Sequence, residues 1–156
     1  MKKILLCALL ALGIGLPLGA QTKIKSSDLV GLWQLAGKDA SGGVHYLPIF
    51  KQMFADGTYH TFMRQIGKGE AVPFAITNQG TYKLLNDSTI REHIDASITD
   101  GAVIGKDNDL TYSMSEDNKY LYVSYFMPGA SRKGQEVWVR VAMPKVDYVP
   151  GTPHNI

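Results

Sequence analysis

Asp28-Leu29-Val30-Gly31-Leu32-Trp33-Gln34-Leu35-Ala36 is the stretch on which the fold turns. It reads as a first β-strand. Gly31 and Trp33 stand two apart, so a strand projects both to one face, and a glycine there leaves room for the backbone or ring of a neighbour. A bulky indole on that face suits a plug at one end of a closed sheet.

Downstream, segments rich in aromatic and β-branched residues alternate with turn chemistry, and no long apolar pattern of helical period intervenes. Lys38 to Gly43 is a flexible link to a second strand, Val44 to Phe54, in which Pro48 cannot donate to a ladder and so marks a bend, a bulge or an edge. Asp56-Gly57 turns the chain into Thr58 to Gln65. After a glycine-rich loop, Gly80 to Leu85 and Ser88 to Ala96 form a hairpin, Leu110 to Ser115 pairs with Tyr120 to Met127, and Gln135 to Met143 is the last strand. Phe74 to Gln79 is open between a strand, a bent extension and a helical turn. Eight strands at this spacing imply an all-β sandwich or barrel, and an eight-stranded antiparallel meander that closes into a barrel is favoured.

Upstream, Met1-Lys2-Lys3, the apolar run Ile4 to Leu18 and Leu18-Gly19-Ala20 have the three parts of a secretory signal peptide cleaved after Ala20. Gly13, Gly15 and Pro17 break the run, which is shorter than the ~20 residues of a membrane-spanning helix. Cys7 follows Leu6, where a lipid-modified cysteine needs a small residue. The expected organisation is a signal peptide over 1–20, a barrel domain over 21–143 and an extended tail over 144–156, which carries Pro144, Pro150 and Pro153. The expected location is secreted or periplasmic, with no membrane insertion after cleavage.

Cleavage changes the chemistry open to the chain. The 16 basic residues lose Lys2 and Lys3 and then equal the 14 acidic ones, which gives no basis for nucleic-acid binding. Cys7 is the single cysteine, so disulfides, thiolate metal sites and cysteine nucleophiles are excluded from the mature chain. There is no Gly-x-Ser-x-Gly elbow and no His-Glu-x-x-His pattern. His45, His60, His93 and His154 show no metal-site spacing, and Asp107-Asn108-Asp109 lacks the glycine and glutamate of a calcium loop and reads as a turn. No metal or cofactor is expected.

Two strands pose questions of facing. In Thr89 to Asp95, alternation groups Ile90, Glu92 and Ile94 against Thr89, Arg91, His93 and Asp95; an inward Glu92 must be paired, protonated or hydrated. In the last strand Glu136, Trp138, Arg140 and Ala142 oppose Val137, Val139, Val141 and Met143, and patterning alone buries the valines.

A Gly-x-Trp on the first strand of a secreted chain of this size resembles the lipocalin superfamily and the bacterial lipocalin-like secreted proteins of undefined function. That resemblance implies a lipocalin-like barrel in which Gly31, Trp33 and an arginine of the last strand, Arg140, make the closed end. It would turn the valine stripe outward, to be covered by the tail or by a second subunit. The implied function is binding of a small, apolar or amphipathic ligand in the open end, lined by Phe50, Tyr82, Glu92, Tyr112 and Tyr122, without catalysis. The competing readings are a barrel enzyme with Glu92 as acid or base and an interaction module of the cell envelope. A homodimer fits the outward stripe.

The leader predicts that exported protein begins at Gln21 and carries no lipid. Intact mass of the exported chain checks this, and a retained leader or a diacylglyceryl adduct contradicts it.

Overall fold

The structure, a computed structural model, describes residues 23–38, 41–64, 74–126 and 133–142. The expected signal peptide and tail lie outside these residues. After a single helical turn, α1 (Ser26–Leu29), come β1 (Gly31–Lys38), β2 (Val44–Met53), β3 (Thr58–Arg64), β4 (Phe74–Leu84), β5 (Thr89–Ser97), β6 (Asp107–Met114), β7 (Tyr120–Phe126) and β8 (Lys133–Arg140). Each strand pairs antiparallel with the next, and β8 returns to β1, so the sheet is a closed barrel in chain order. Closure pairs the backbone groups that an open sheet would leave bare at two edges.

The two ends differ in construction. At one end β2–β3, β4–β5 and β6–β7 are joined by tight turns in which Asp56, Asn86 and Asp117 accept backbone N–H bonds from residues two or three ahead. The longer connections, after β1, β3, β5 and β7, all leave from the other end.

The tight-turn end is plugged. Trp33 is fully buried and its Nε1 donates to the Leu29 carbonyl at 2.8 Å, so α1 lies across the barrel bottom with Leu29 beneath it. Trp33 and Arg140 are directly opposite each other where β1 meets β8. The Arg140 guanidinium lies 4.1 Å from the indole centroid, and its nitrogens donate to the carbonyls of Val30 (2.8 Å), Asn118 (2.9 Å) and Asp28. Glu136, Trp138 and Arg140 therefore face inward and the valines outward, against patterning. The cation on the indole face and three carbonyl partners offset the desolvation of the guanidinium. Gly31 explains itself here: its φ of +141° is a glycine conformation, and a Cβ would stand 2.8 Å from an Arg140 nitrogen.

Several boundaries differ from the sequence reading. Asp28 to Val30 is not strand; Asp28 accepts the Lys25 N–H at 2.9 Å and closes α1, so β1 starts at Gly31. Phe74 to Gln79 is the first half of β4. Asp107 to Asp109 is strand rather than turn, because Arg91 and His93 on β5 bind both aspartates from the neighbouring strand. β8 ends at Arg140, two residues after Trp138.

Irregularities cluster toward the longer-loop end. Opposite Leu35, β2 carries extra residues around Pro48, and Gln34 Nε2 bonds the Leu47 carbonyl there at 3.0 Å. Thr77 is an extra residue against β3, held by its hydroxyl on the Thr61 carbonyl, and Asp95 is an extra residue against β4. Beside that second bulge the β4 and β5 backbones approach so closely that a Cβ on Gly80 would lie 1.8 Å from the His93 carbonyl oxygen.

Lysine cannot reproduce the stacked plane or reach three carbonyls, so Arg140→Lys is expected to cost about 1–3 kcal/mol in chemical denaturation. Gly31→Ala is expected to cost a similar ~1–3 kcal/mol through backbone strain and displacement of the guanidinium. Losses under about 0.5 kcal/mol would describe a solvated surface pair instead.

Candidate functional site

Above the plug, the lumen carries a polar network that alternation delivers from five strands. Lys51 on β2 and Glu92 on β5 face inward and meet at 2.6 Å, with 10% and 8% of their side-chain surfaces exposed. Tyr112 on β6 donates to the same Glu92 oxygen at 2.8 Å. The Lys51 ammonium also lies over the rings of Tyr59, at 5.2 Å, and Trp138, at 5.6 Å. A buried ammonium so surrounded has its charge met by a carboxylate and two ring faces, which its desolvation requires.

A second carboxylate sits higher. Glu136 on β8 accepts from Trp138 Nε1 at 2.9 Å and from the Tyr125 hydroxyl at 3.0 Å, and it is only half-buried. Tyr125 packs against Gly134, where a Cβ would stand 2.7 Å from its ring. On β4, Asn78 is paired with Thr61, and its buried Oδ1 has no hydrogen-bond partner among the described residues.

Burial falls along the lumen. Met53, Tyr59, Ile90, Met114 and Leu121, toward the plug, are buried; Leu35, Ile49, Met63, Ala75 and Ile94, toward the longer loops, are only partly buried although they face inward, as is Leu84 at the plug end. The apolar upper wall thus stands over a floor of charges and hydroxyls.

Burial first, and the carboxylates second, push the phenols upward. Tyr112, fully enclosed, is raised well above the ordinary tyrosine value by burial and by Glu92; Tyr59 is raised by burial and then by Glu92; Tyr125 by burial and then by Glu136. All three are donors or neutral walls at neutral pH.

Of the residues expected to line a ligand site, Glu92 and Tyr112 lie together in the lumen. Tyr82 faces inward but low, its hydroxyl on the Phe54 carbonyl at 2.6 Å. Phe50 and Tyr122 do not line the lumen: Lys51, Leu121 and Val123 take the inward positions beside them, so alternation turns both outward. Phe50 stacks on Phe62 at 5.5 Å with Phe74 edge-on, and Tyr122 stacks on Tyr120 at 6.5 Å. Lys51, Tyr59, Tyr125 and Glu136 were not singled out from sequence. The signal for Lys51 was present: Ile49-x-Lys51-x-Met53 is an apolar face interrupted by one charge, as is Ile90-x-Glu92-x-Ile94, and the two signs are opposite.

The outer wall has two characters. Over β5 and β6, Arg91 is bidentate on Asp109 (2.6 and 2.8 Å) and His93 bonds Asp107 at 2.7 Å, beside an open hollow of about 250 Å³. Over β1 to β4, the row Gln34, Phe50, Phe62, Ile76 is uncharged and adjoins Phe74, which is 55% exposed. A second hollow, also about 250 Å³, lies over β6 to β8. Among the described residues no cluster of acidic, histidine or cysteine side chains could hold a metal ion.

An antiparallel barrel closed in chain order, plugged at one end and polar-floored, defines a meander-barrel class of fold. Residues 28–153 match the model of the family described as Domain of unknown function (DUF4488), and the chain belongs to that family. No curated protein matches the chain.

Two outcomes follow for the network. Lys51→Met leaves Glu92 buried without its cation and is expected to cost about 3–5 kcal/mol, whereas Lys51→Met with Glu92→Leu should recover much of that loss; equilibrium denaturation of the three chains checks it. The raised tyrosines make the folded state keep protons that the unfolded chain releases, so their contribution is complete below about pH 10 and is lost as pH rises beyond it. Tyrosinate absorbance for Tyr59, Tyr112 and Tyr125 should therefore appear together with alkaline unfolding and not before it.

Proposed function

We propose that the protein is a secreted, lipocalin-like binder that takes a small, partly apolar molecule into the open end of its barrel. The observation that carries this reading is the difference in burial along the inward face: Leu35, Ile49, Met63 and Ala75, toward the longer loops, are only partly buried, while Met53, Tyr59, Ile90 and Leu121, toward the plug, are buried. Inward apolar side chains that water reaches are surface that a ligand can cover, and a few fixed polar groups at the floor supply orientation. The Gly31, Trp33 and Arg140 arrangement at the closed end and the leader at 1–20 support the lipocalin-like and secreted parts of the proposal.

Catalysis has weaker support. Glu92 is engaged by Lys51 and Tyr112, which leaves no short path to a substrate proton, and burial moves the tyrosines away from the neutral range that proton transfer favours. His93 faces the outer wall.

The uncharged aromatic row on β1 to β4 favours a second, compatible reading, a homodimer through that wall. A two-fold interface presents a patch to its own copy, and a row without charge meets itself without repulsion, unlike the ion-paired wall over β5 and β6. Phe62→Glu, which opposes like charges across such an interface, should convert a dimer to monomer in light scattering; a wild-type chain that is monomeric at high concentration contradicts it.

Binding is tested with the neutral fluorophore N-phenyl-1-naphthylamine. The expected result is saturable, one-to-one enhancement of probe emission with quenching of Trp138, abolished in Ile49→Arg and unchanged in Phe62→Glu. No saturable signal, or one lost with Phe62→Glu instead, overturns lumen binding.

A further inference from the structure

We infer that the lumen is built for an organic cation: an amphipathic amine whose apolar part lies against the upper wall and whose ammonium group is held by Glu136. The inference rests on lumen binding as proposed above and specifies the chemistry of the ligand.

Four charged side chains point inward among the described residues: Lys51, Glu92, Glu136 and Arg140. Arg140 lies on the plug side of the network, with its donors taken by three backbone carbonyls. Lys51 and Glu92 satisfy each other at 2.6 Å, and the lysine is further enclosed by Tyr59 and Trp138. A ligand carboxylate would have to strip Lys51 from a buried partner, leaving Glu92 uncompensated. Glu136 is different. It receives two neutral donors, Tyr125 and Trp138, and has no cation partner among the described residues. Two donors leave a carboxylate with acceptor sites to spare, and it is only half-buried.

A second inward acceptor on the opposite wall adds to the negative character of the lumen. The Asn78 Oδ1 is buried and unpartnered, an acceptor facing the lumen from β4. It seeks a donor, as Glu136 does, and an ammonium or a hydroxyl-bearing amine supplies several. The Tyr125 ring beside Glu136 adds an aromatic face, which attracts a cation and not an anion. His45, at the rim, is taken up by packing on Gly37. Acceptors in excess, one uncompensated negative charge and an apolar wall together describe an amine site rather than a fatty-acid site.

The test uses three probes with one tail: octylamine, octanol and octanoate, each titrated against bound N-phenyl-1-naphthylamine. Octylamine is expected to displace the fluorophore at about tenfold lower concentration than octanoate, the size of one charge-assisted hydrogen bond. Glu136→Gln, which keeps the shape and one of the two acceptor oxygens but removes the charge, should erase the preference for octylamine over octanoate. Asn78→Leu should weaken octylamine without reversing the order. If Glu136→Gln does not fold, the wild-type ranking alone decides. Octanoate or octanol equal to or better than octylamine, with the fluorophore bound, overturns the cation assignment and leaves lumen binding standing. Failure of the fluorophore to bind wild-type protein removes both.

Discussion

The stack of Arg140 on Trp33 spans the seam at which the last strand meets the first. A meander of eight strands becomes a barrel only if residues more than a hundred positions apart in sequence find each other, and chain entropy opposes that meeting. Here one contact between facing residues brings together a cation, an indole and the carbonyls of Asp28, Val30 and Asn118, which come from α1, the strand entry and the β6–β7 turn. Closure, the plug and the placement of α1 are one event. Everything above inherits its facing from this register, since an arginine turned inward fixes Trp138 and Glu136 inward as well.

Inside, the Lys51 and Glu92 pair contributes specificity more than stability. A buried pair roughly balances its desolvation against its attraction, yet any shift of β2 against β5 would separate the two charges in a low-dielectric interior. The interior therefore disfavours slipped registers that an all-apolar lining would tolerate. Trp138 links this layer to the next, its ring face on Lys51 and its N–H on Glu136. The lumen is thus layered: indole and guanidinium, then a neutralised ion pair, then a carboxylate with capacity left over.

The strand count, the closure and the inward Glu92 were legible because they rest on period-two patterning and turn chemistry, which the sequence displays locally. Patterning alone misread the facing of β8, because Val137 and Val139 form the better apolar stripe, whereas the resemblance carried by Gly31, Trp33 and Arg140 turned the valines outward, as the stacked indole holds them. Phe50 and Tyr122 were misplaced for a related reason: aromatic rings were expected in the lumen, while Lys51 on one strand and Leu121 and Val123 on another hold the inward positions. Asp107 to Asp109 looked like a turn because charge is dense there, and the ladder to Arg91 and His93 is visible only in three dimensions. Lys51 was hidden by the habit of reading a lone lysine as exposed. A lone opposite charge on an equally apolar face elsewhere was the clue.

The odd residues Thr77 and Asp95 also bear on how such a chain can change over generations. In a regular strand, losing or gaining one residue turns everything on one side of the event inside out, exchanging lining for surface. At these two positions the ladder already carries an unmatched residue, so its loss would leave Ile76 and Asn78, or Ile94 and Ala96, on the faces they now occupy. The longer-loop half of β4 and β5 thereby has sites at which single-codon deletions alter twist but not the inventory of inward side chains. Length variation among related barrels should concentrate there and in the longer connections, while the plugged half stays fixed in length.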